Sequence, residues 1–285
     1  MATERSLKSK ALQDDAKDFV TLAKTYNPKV HVITPKRKVE TCIKGWGIHE
    51  KLDGVRARWH KGKLISRTKR EFPVPEQVRK TMNLVFGELE PDGELVSNDG
   101  DFQKTVSIVK NGHSTEKDWE GITYHIFDVV REGSYTERMG YADLILGRPK
   151  FIKLTHPIDY VASEENIAEN LDWVLKQGGE GIMIRNHDAP YTTGRTKNLL
   201  KVKKFMDIEV TVVGHEDGEG RNEGRLGALL CELDNGNPVR IGTGFTDAVR
   251  ENPPAIGAKV TCKFFDYTND GIPRFPVYVV TRDYE

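Results

Sequence analysis

The texture of the sequence changes after Phe205, and that change limits the fold more than any other feature. Five short apolar runs follow, at 208–213, 227–233, 239–243, 259–265 and 277–281, and Gly, Asn, Asp and Pro separate them. Runs of this length bounded by turn residues read as strands. One helix is able to start at Thr246-Asp247. Five strands in so short a stretch fit a small β-barrel of the OB type. The boundary is expected near Met206-Asp207, giving domains 1–206 and 207–285.

The first domain alternates between the two kinds of element. Residues 6–24 carry a loose apolar stripe (Leu7, Ala11, Ala16, Phe19-Val20) and read as a short helix. Residues 46–66 alternate about Lys61-Gly62-Lys63, the pattern of a strand, a tight turn and a second strand. Helices are expected at 75–86 and 138–146. Strands are expected at 93–96, 122–130, 181–185 and 199–204. Ser163 caps a helix that begins with Glu164-Glu165 and stops at Gly178-Gly179. Sheets with flanking helices, followed by a barrel, make this an α+β chain of two domains.

Composition excludes several classes. With 37% hydrophobic and 30% charged residues, the 285-residue chain has enough apolar content for a core. No apolar run approaches the roughly 18 residues of a membrane span. The first fifteen residues are polar, so no secretory signal is expected and the cytoplasm (a host cytoplasm for a viral protein) is the expected location. Cys42, Cys231 and Cys262 are far apart, lack metal-ligand spacing and read as buried, reduced thiols. The zero formal net charge conceals an asymmetry. Residues 207–285 hold 8 basic and 14 acidic side chains, a net of −6, which leaves +6 on the first domain. There the basic residues cluster: seven lie in 56–70 and five in 191–204, with no acid in either stretch. Such stretches suit phosphate, although a solvated face has the same composition.

Six fragments carry candidate chemistry. Lys51-Leu52-Asp53-Gly54-Val55-Arg56 combines an amine, an acid, a glycine turn and a cation. A free lysine amine, with a pKa of about 10.4, becomes nucleophilic only where nearby cations or burial favour its neutral form. Arg67, in Ser66-Arg67-Thr68, offers a planar fork for phosphate. Glu94, in Asp92-Gly93-Glu94-Leu95, offers a carboxylate to ribose or metal, with Asp-Gly also reading as a plain turn. Phe127 is available to stack on a base or to fill a core. Glu180 precedes a buried strand, a place for an Mg²⁺ ligand. Lys201 and Lys203, two residues apart, would share one face of a strand.

In this order the fragments resemble the ATP-dependent DNA ligases of the covalent nucleotidyltransferase superfamily, over about 31–283. Lys204-Phe205-Met206-Asp207-Ile208-Glu209-Val210, Gly224-Arg225-Leu226-Gly227-Ala228-Leu229 and Gly242-Thr243-Gly244-Phe245 resemble the start of the ligase OB domain. The resemblance implies that Lys51 takes up AMP from ATP, passes it to the 5′-phosphate of a nick, and that the 3′-hydroxyl then expels it. It implies nucleotide contacts from Arg56, Glu94, Phe127, Lys201, Lys203 and Arg282. It further implies phosphate contacts from Arg67 and Arg195, and Mg²⁺ or Mn²⁺ held by Glu180 and Glu94. The expected partner is nicked double-stranded DNA, bound by a monomer.

The chain departs from the family pattern in two places. Where many relatives carry Glu two residues before the lysine, near adenine, this chain has His49, with Glu50 adjacent; both are carried as ATP contacts. The last motif retains Arg274-Phe275-Pro276 and Arg282-Asp283 but ends Tyr284-Glu285 without the usual lysine. An accessory-type minimal ligase, without an added DNA-encircling domain, is expected. An mRNA capping guanylyltransferase, an RNA ligase and a non-enzymatic OB-fold nucleic-acid binder stay as alternatives.

Overall fold

The computed structural model describes residues 19–36, 40–146, 149–264 and 266–282. They form two compact units, which meet in the chain between Val202 and Lys203. The N-terminal unit contains strands β1 (Thr21–Thr25), β2 (His31–Val32), β3 (Thr41–Cys42), β4 (Gly47–Lys51), β5 (Val55–His60) and β6 (Lys63–Ser66), then helix α1 (Glu76–Phe86) and β7 (Pro91–Ser97). Helices α2 (Phe102–Val109) and α3 (Glu116–Trp119), β8 (Ile122–Val129), α4 (Tyr135–Ile145), β9 (Ile152–Leu154), α5 (Glu164–Lys176), β10 (Gly181–Arg185) and β11 (Gly194–Val202) complete it.

Two sheets organise this unit. One has the order β1-β11-β10-β4, and the other β6-β5-β7-β8-β9. Period-2 alternation sends Ile48, Ile182, Ile184 and Leu200 of the first sheet into a core with Ile167 and Val174 of α5. The second sheet buries Ala57, Trp59, Leu95, Tyr124 and Ile126 against Met82 and Phe86 of α1, Val109 of α2 and Ala142 of α4. The opposite faces of both sheets therefore keep their polar residues.

Local signals explain the helix ends. The Ser163 hydroxyl accepts from Asn166 N–H, and α5 ends before Gly178 at φ 80°. Helix α4 starts earlier than expected because Ser134 and Glu137 form a capping box. Lys61 (φ 49°) and Gly62 (φ 75°) make the two-residue turn that pairs β5 with β6.

Three expectations change. The helix expected over 6–24 is contradicted at its end, where Thr21–Thr25 is a strand parallel to β11; its start lies outside the described residues. Thr-Leu-Ala-Lys-Thr pairs with residues some 170 positions away, a partner invisible to a local pattern. The Asp92-Gly93 pair is no turn but the interior of β7, at a register shift against β8. A Cβ at Gly93 would come within 2.4 Å of the His125 carbonyl, which accounts for glycine there. Cys42 is exposed, with its thiol donating to the Ile33 carbonyl, while Cys231 and Cys262 are buried.

The C-terminal unit holds β12 (Met206–Asp217), β13 (Leu226–Glu232), β14 (Pro238–Ile241), α6 (Asp247–Glu251), β15 (Lys259–Phe264) and β16 (Val277–Arg282). The sheet order is β14-β13-β12-β15-β16. A bridge between Thr243 and Val277 joins the two edges, with Tyr278 N–H donating to the Thr243 carbonyl at 2.9 Å. Gly244, at φ 95°, permits this closure, since a Cβ would meet the Tyr278 carbonyl at 2.4 Å. Val210, Val212, Leu229, Ile241, Val260 and Cys262 fill the interior. No helix among the described residues is long and apolar enough to cross a membrane.

Candidate active site

Strand β4 delivers Lys51 at its last position, on the polar face of its sheet. The Lys51 ammonium donates to the Glu180 carboxylate, which is buried just before β10. Register places Lys51 opposite Gly181, and His49 opposite Met183, which in turn faces Lys201. Lys51, His49 and Lys201 therefore share one face. Strand β11 ends at Val202, so Lys203 lies one residue past it, in the C-terminal unit, 5.7 Å from the Phe205 ring centroid.

The Leu52-Asp53-Gly54 link carries the chain to the second sheet. At Gly54 a Cβ would meet the Leu95 carbonyl at 2.3 Å, so glycine lets the link lie directly on β7. Strand β5 then presents Arg56 opposite Glu94. The Arg56 guanidinium donates twice to Asp92, at 2.6 Å each, and lies 4.4 Å from the Phe127 ring centroid. Asp92 is fully buried and also accepts from the Tyr191 hydroxyl at 2.7 Å. This clamp fixes the plane of the guanidinium. Burial raises the Glu94 pKa to about 7, against the opposing pull of Arg56 and Lys51; Glu180 and Asp92 add to the rise. An amine, two carboxylates and an immobilised guanidinium thus share one electrostatic environment, drawn from four separate strands or their ends. That collection suits nucleophilic displacement at phosphorus.

Residues 22–203 match the ATP dependent DNA ligase domain, and residues 217–282 match the DNA ligase OB-like domain. The chain belongs to the ATP-dependent DNA ligases. A DNA ligase of Haemophilus influenzae is 36% identical over 245 residues, spanning 83% of this chain and 86% of its own. A solved structure of a minimal-scaffold Lig E DNA ligase superimposes with a TM-score of 0.80 at 30% identity, covering 93% of this chain and 99% of that one. Against the DNA ligase of Natronomonas pharaonis, 29% identical over 71% of this chain, the alignment spans only 41% of the relative. The fold, an α/β nucleotidyltransferase domain and an OB-like barrel, is the ligase fold, and the family implies ATP as substrate.

Strand alternation turns Glu50 to the face opposite Lys51, where it is exposed and lies beside Gly179. His49 is buried and engaged with His187, Nε2 to Nε2 at 3.0 Å. Burial, Arg185, His187 and His156 hold the His49 pKa well below its usual value, so the ring is neutral. Arg67 is exposed in the turn after β6. Arg195 is exposed on β11, its guanidinium donating to the Ala23 carbonyl at 2.7 Å. Arg282 donates to the Thr261 hydroxyl at 2.7 Å and pairs with Glu209 at 3.2 Å in the C-terminal unit.

Sequence reasoning missed the groups that hold the site. Asp128 accepts from Arg138 at 2.8 Å and from Arg185 at 2.7 Å, all three buried. Arg185 lies 4.4 Å from the Tyr135 ring centroid, and that ring stacks on His187 at 5.0 Å. The chain of contacts therefore runs from Asp128 to His49. Its signal was present: Asp128 and Arg185 are charged residues in strands that are mostly apolar and buried.

Proposed function

We propose that this ligase seals 3′-hydroxyl/5′-phosphate nicks in duplex DNA through a covalent Lys51–AMP intermediate, acting as a monomer. The observation that carries the reading is the Lys51 amine held on Glu180, within the field of Arg56 and Glu94 and on the face that carries Lys201. In the first step the amine attacks the α-phosphorus of ATP. A phosphorus–nitrogen bond forms, the bond to pyrophosphate breaks, and the amine loses a proton. The nick 5′-phosphate then attacks the same phosphorus and frees Lys51. Finally the 3′-hydroxyl attacks the DNA phosphate and expels AMP.

Each step is an in-line displacement governed by position and charge. Glu180 orients Lys51 before attack. Arg56, fixed between Asp92 and Phe127, receives phosphate charge without having to be ordered first. Glu94 takes the ribose, and Phe127 packs on the adenine. Lys201 and Lys203 supply charge at the α-phosphate, Arg282 at the pyrophosphate, and Arg67 and Arg195 along DNA phosphates. Glu180 and Glu94 suit Mg²⁺ or Mn²⁺. Among the described residues no cluster of three or more such ligands forms, and two carboxylates completed by substrate phosphates are the set magnesium prefers. Such an ion would neutralise charge on the phosphates. Reduced cysteines and these substrates suit the cytoplasm.

The test is incubation with α-labelled ATP, GTP or NAD⁺, with and without a nicked duplex. ATP should label the wild-type protein, and Lys51→Ala should abolish the band. An undiminished band in that variant, or labelling by GTP alone, would overturn the assignment.

A further inference from the structure

The face of the second sheet that carries Arg56 and Glu94 continues past the nucleotide residues. Arg56 is opposite Glu94, Glu94 is opposite His125, and His125 is opposite Lys153. One cross-strand row therefore crosses β5, β7, β8 and β9 on a single face. At a strand spacing of about 4.8 Å, the Lys153 backbone stands about 10 Å from that of Glu94.

The far end of the row opens into a polar concavity of about 420 Å³, lined by Ser97, Asn98, Thr123, His125, Lys150 and Lys153. Two lysines line it and no carboxylate does. Of the neighbouring acids, Asp99 is paired with Lys104 at 2.5 Å and the Asp101 side chain caps helix α2. The neutral donors are engaged elsewhere. The Ser97 hydroxyl donates to the Asp101 carbonyl, Thr123 to the Asn98 side chain, and the Asn98 amide to the Glu120 carbonyl. Burial and Lys153 lower the His125 pKa to about 4, so the imidazole is neutral and the positive charge comes from the lysines.

We propose that this concavity is a phosphodiester subsite for a DNA strand beside the reacting end. The inference rests on the nick-sealing reading. The cations, the lack of lining acids and the continuity with the nucleotide row all favour a phosphate. Engaged hydroxyl and amide donors disfavour reading of base edges, so the contact positions DNA without selecting sequence. At about 3.4 Å of axial rise per phosphate, 10 Å corresponds to about three steps along a strand from Glu94.

The experiment uses the full chain, preloaded with AMP, carrying Lys150→Gln and Lys153→Gln together. AMP loading should match wild type. Affinity for a nicked duplex should fall about tenfold, and the slope of log affinity against log salt should shrink by about one. An uncharged methylphosphonate placed about two to four linkages from the nick should weaken the wild type and leave the variant unaffected. Lys→Arg at both positions should restore binding. Unchanged affinity and slope would overturn the subsite, as would a loss that arginine does not repair, which would mark a structural role. A wild type that loads no AMP or seals no nick would instead overturn the ligase reading.

Discussion

Gly54 shows how one residue sets the geometry of the nucleophile. Its missing side chain lets the link after Lys51 rest on the Leu95 carbonyl. Gly54→Ala should lower stability by about 1–3 kcal/mol, because backbone gives way less readily than a side chain. A melting curve checks this; an unchanged midpoint would show that the link has room to move. Glu94 makes a prediction about pH. Its folded-state pKa is raised, so the folded protein holds this proton more tightly than the unfolded chain does. The resulting stabilisation is fully present below the unfolded value of about 4.5 and disappears as pH rises through about 7. Urea midpoints over that range should fall more steeply for wild type than for Glu94→Gln, and parallel profiles would contradict the raised pKa.

Between elements, buried charge fixes what hydrophobic packing leaves free. Asp128 on β8 joins Arg138 of α4 to Arg185 of β10, which links the two sheets of the N-terminal unit. Asp128→Ala would leave two buried guanidinium groups without that carboxylate. The expected loss is about 3–5 kcal/mol, read from chemical denaturation. His49 should also become more solvent-accessible, because Arg185, Tyr135 and His187 stand between it and Asp128; unchanged imidazole resonances would refute that connection. Most of these elements were legible in the sequence. Strands 181–185 and 122–129, helix α5 and the barrel strands follow from period and caps that act over a few residues. Strand β1 was not, since its pairing to β11 spans most of the chain. The roles of Asp92 and Asp128 were equally hidden, because an acid's partner is set by which strands become neighbours.

Across the whole molecule, charge is divided between two units with separate cores. The net of +6 on 1–206 and −6 on 207–285 places most electrostatic attraction for DNA on the first. Residues 1–206 expressed alone should retain the larger part of non-specific DNA affinity and of its salt dependence, measured by titration at two ionic strengths. Residues 207–285 alone should bind weakly; the reverse order would show that local clusters outweigh net charge.

The sequence alone determined most of the longer elements, the barrel that follows the mixed domain, and which side chains are candidates for nucleotidyl transfer. These depend on periodicity and residue chemistry, which are local. Only the tertiary structure decided which of those side chains meet: that Lys51 rests on Glu180, that Glu50 faces away, that Asp92 clamps Arg56, and that His49 is held by His187. Pairing between distant strands and the exclusion of water from buried charges settle such choices, and both arise only when the chain closes on itself.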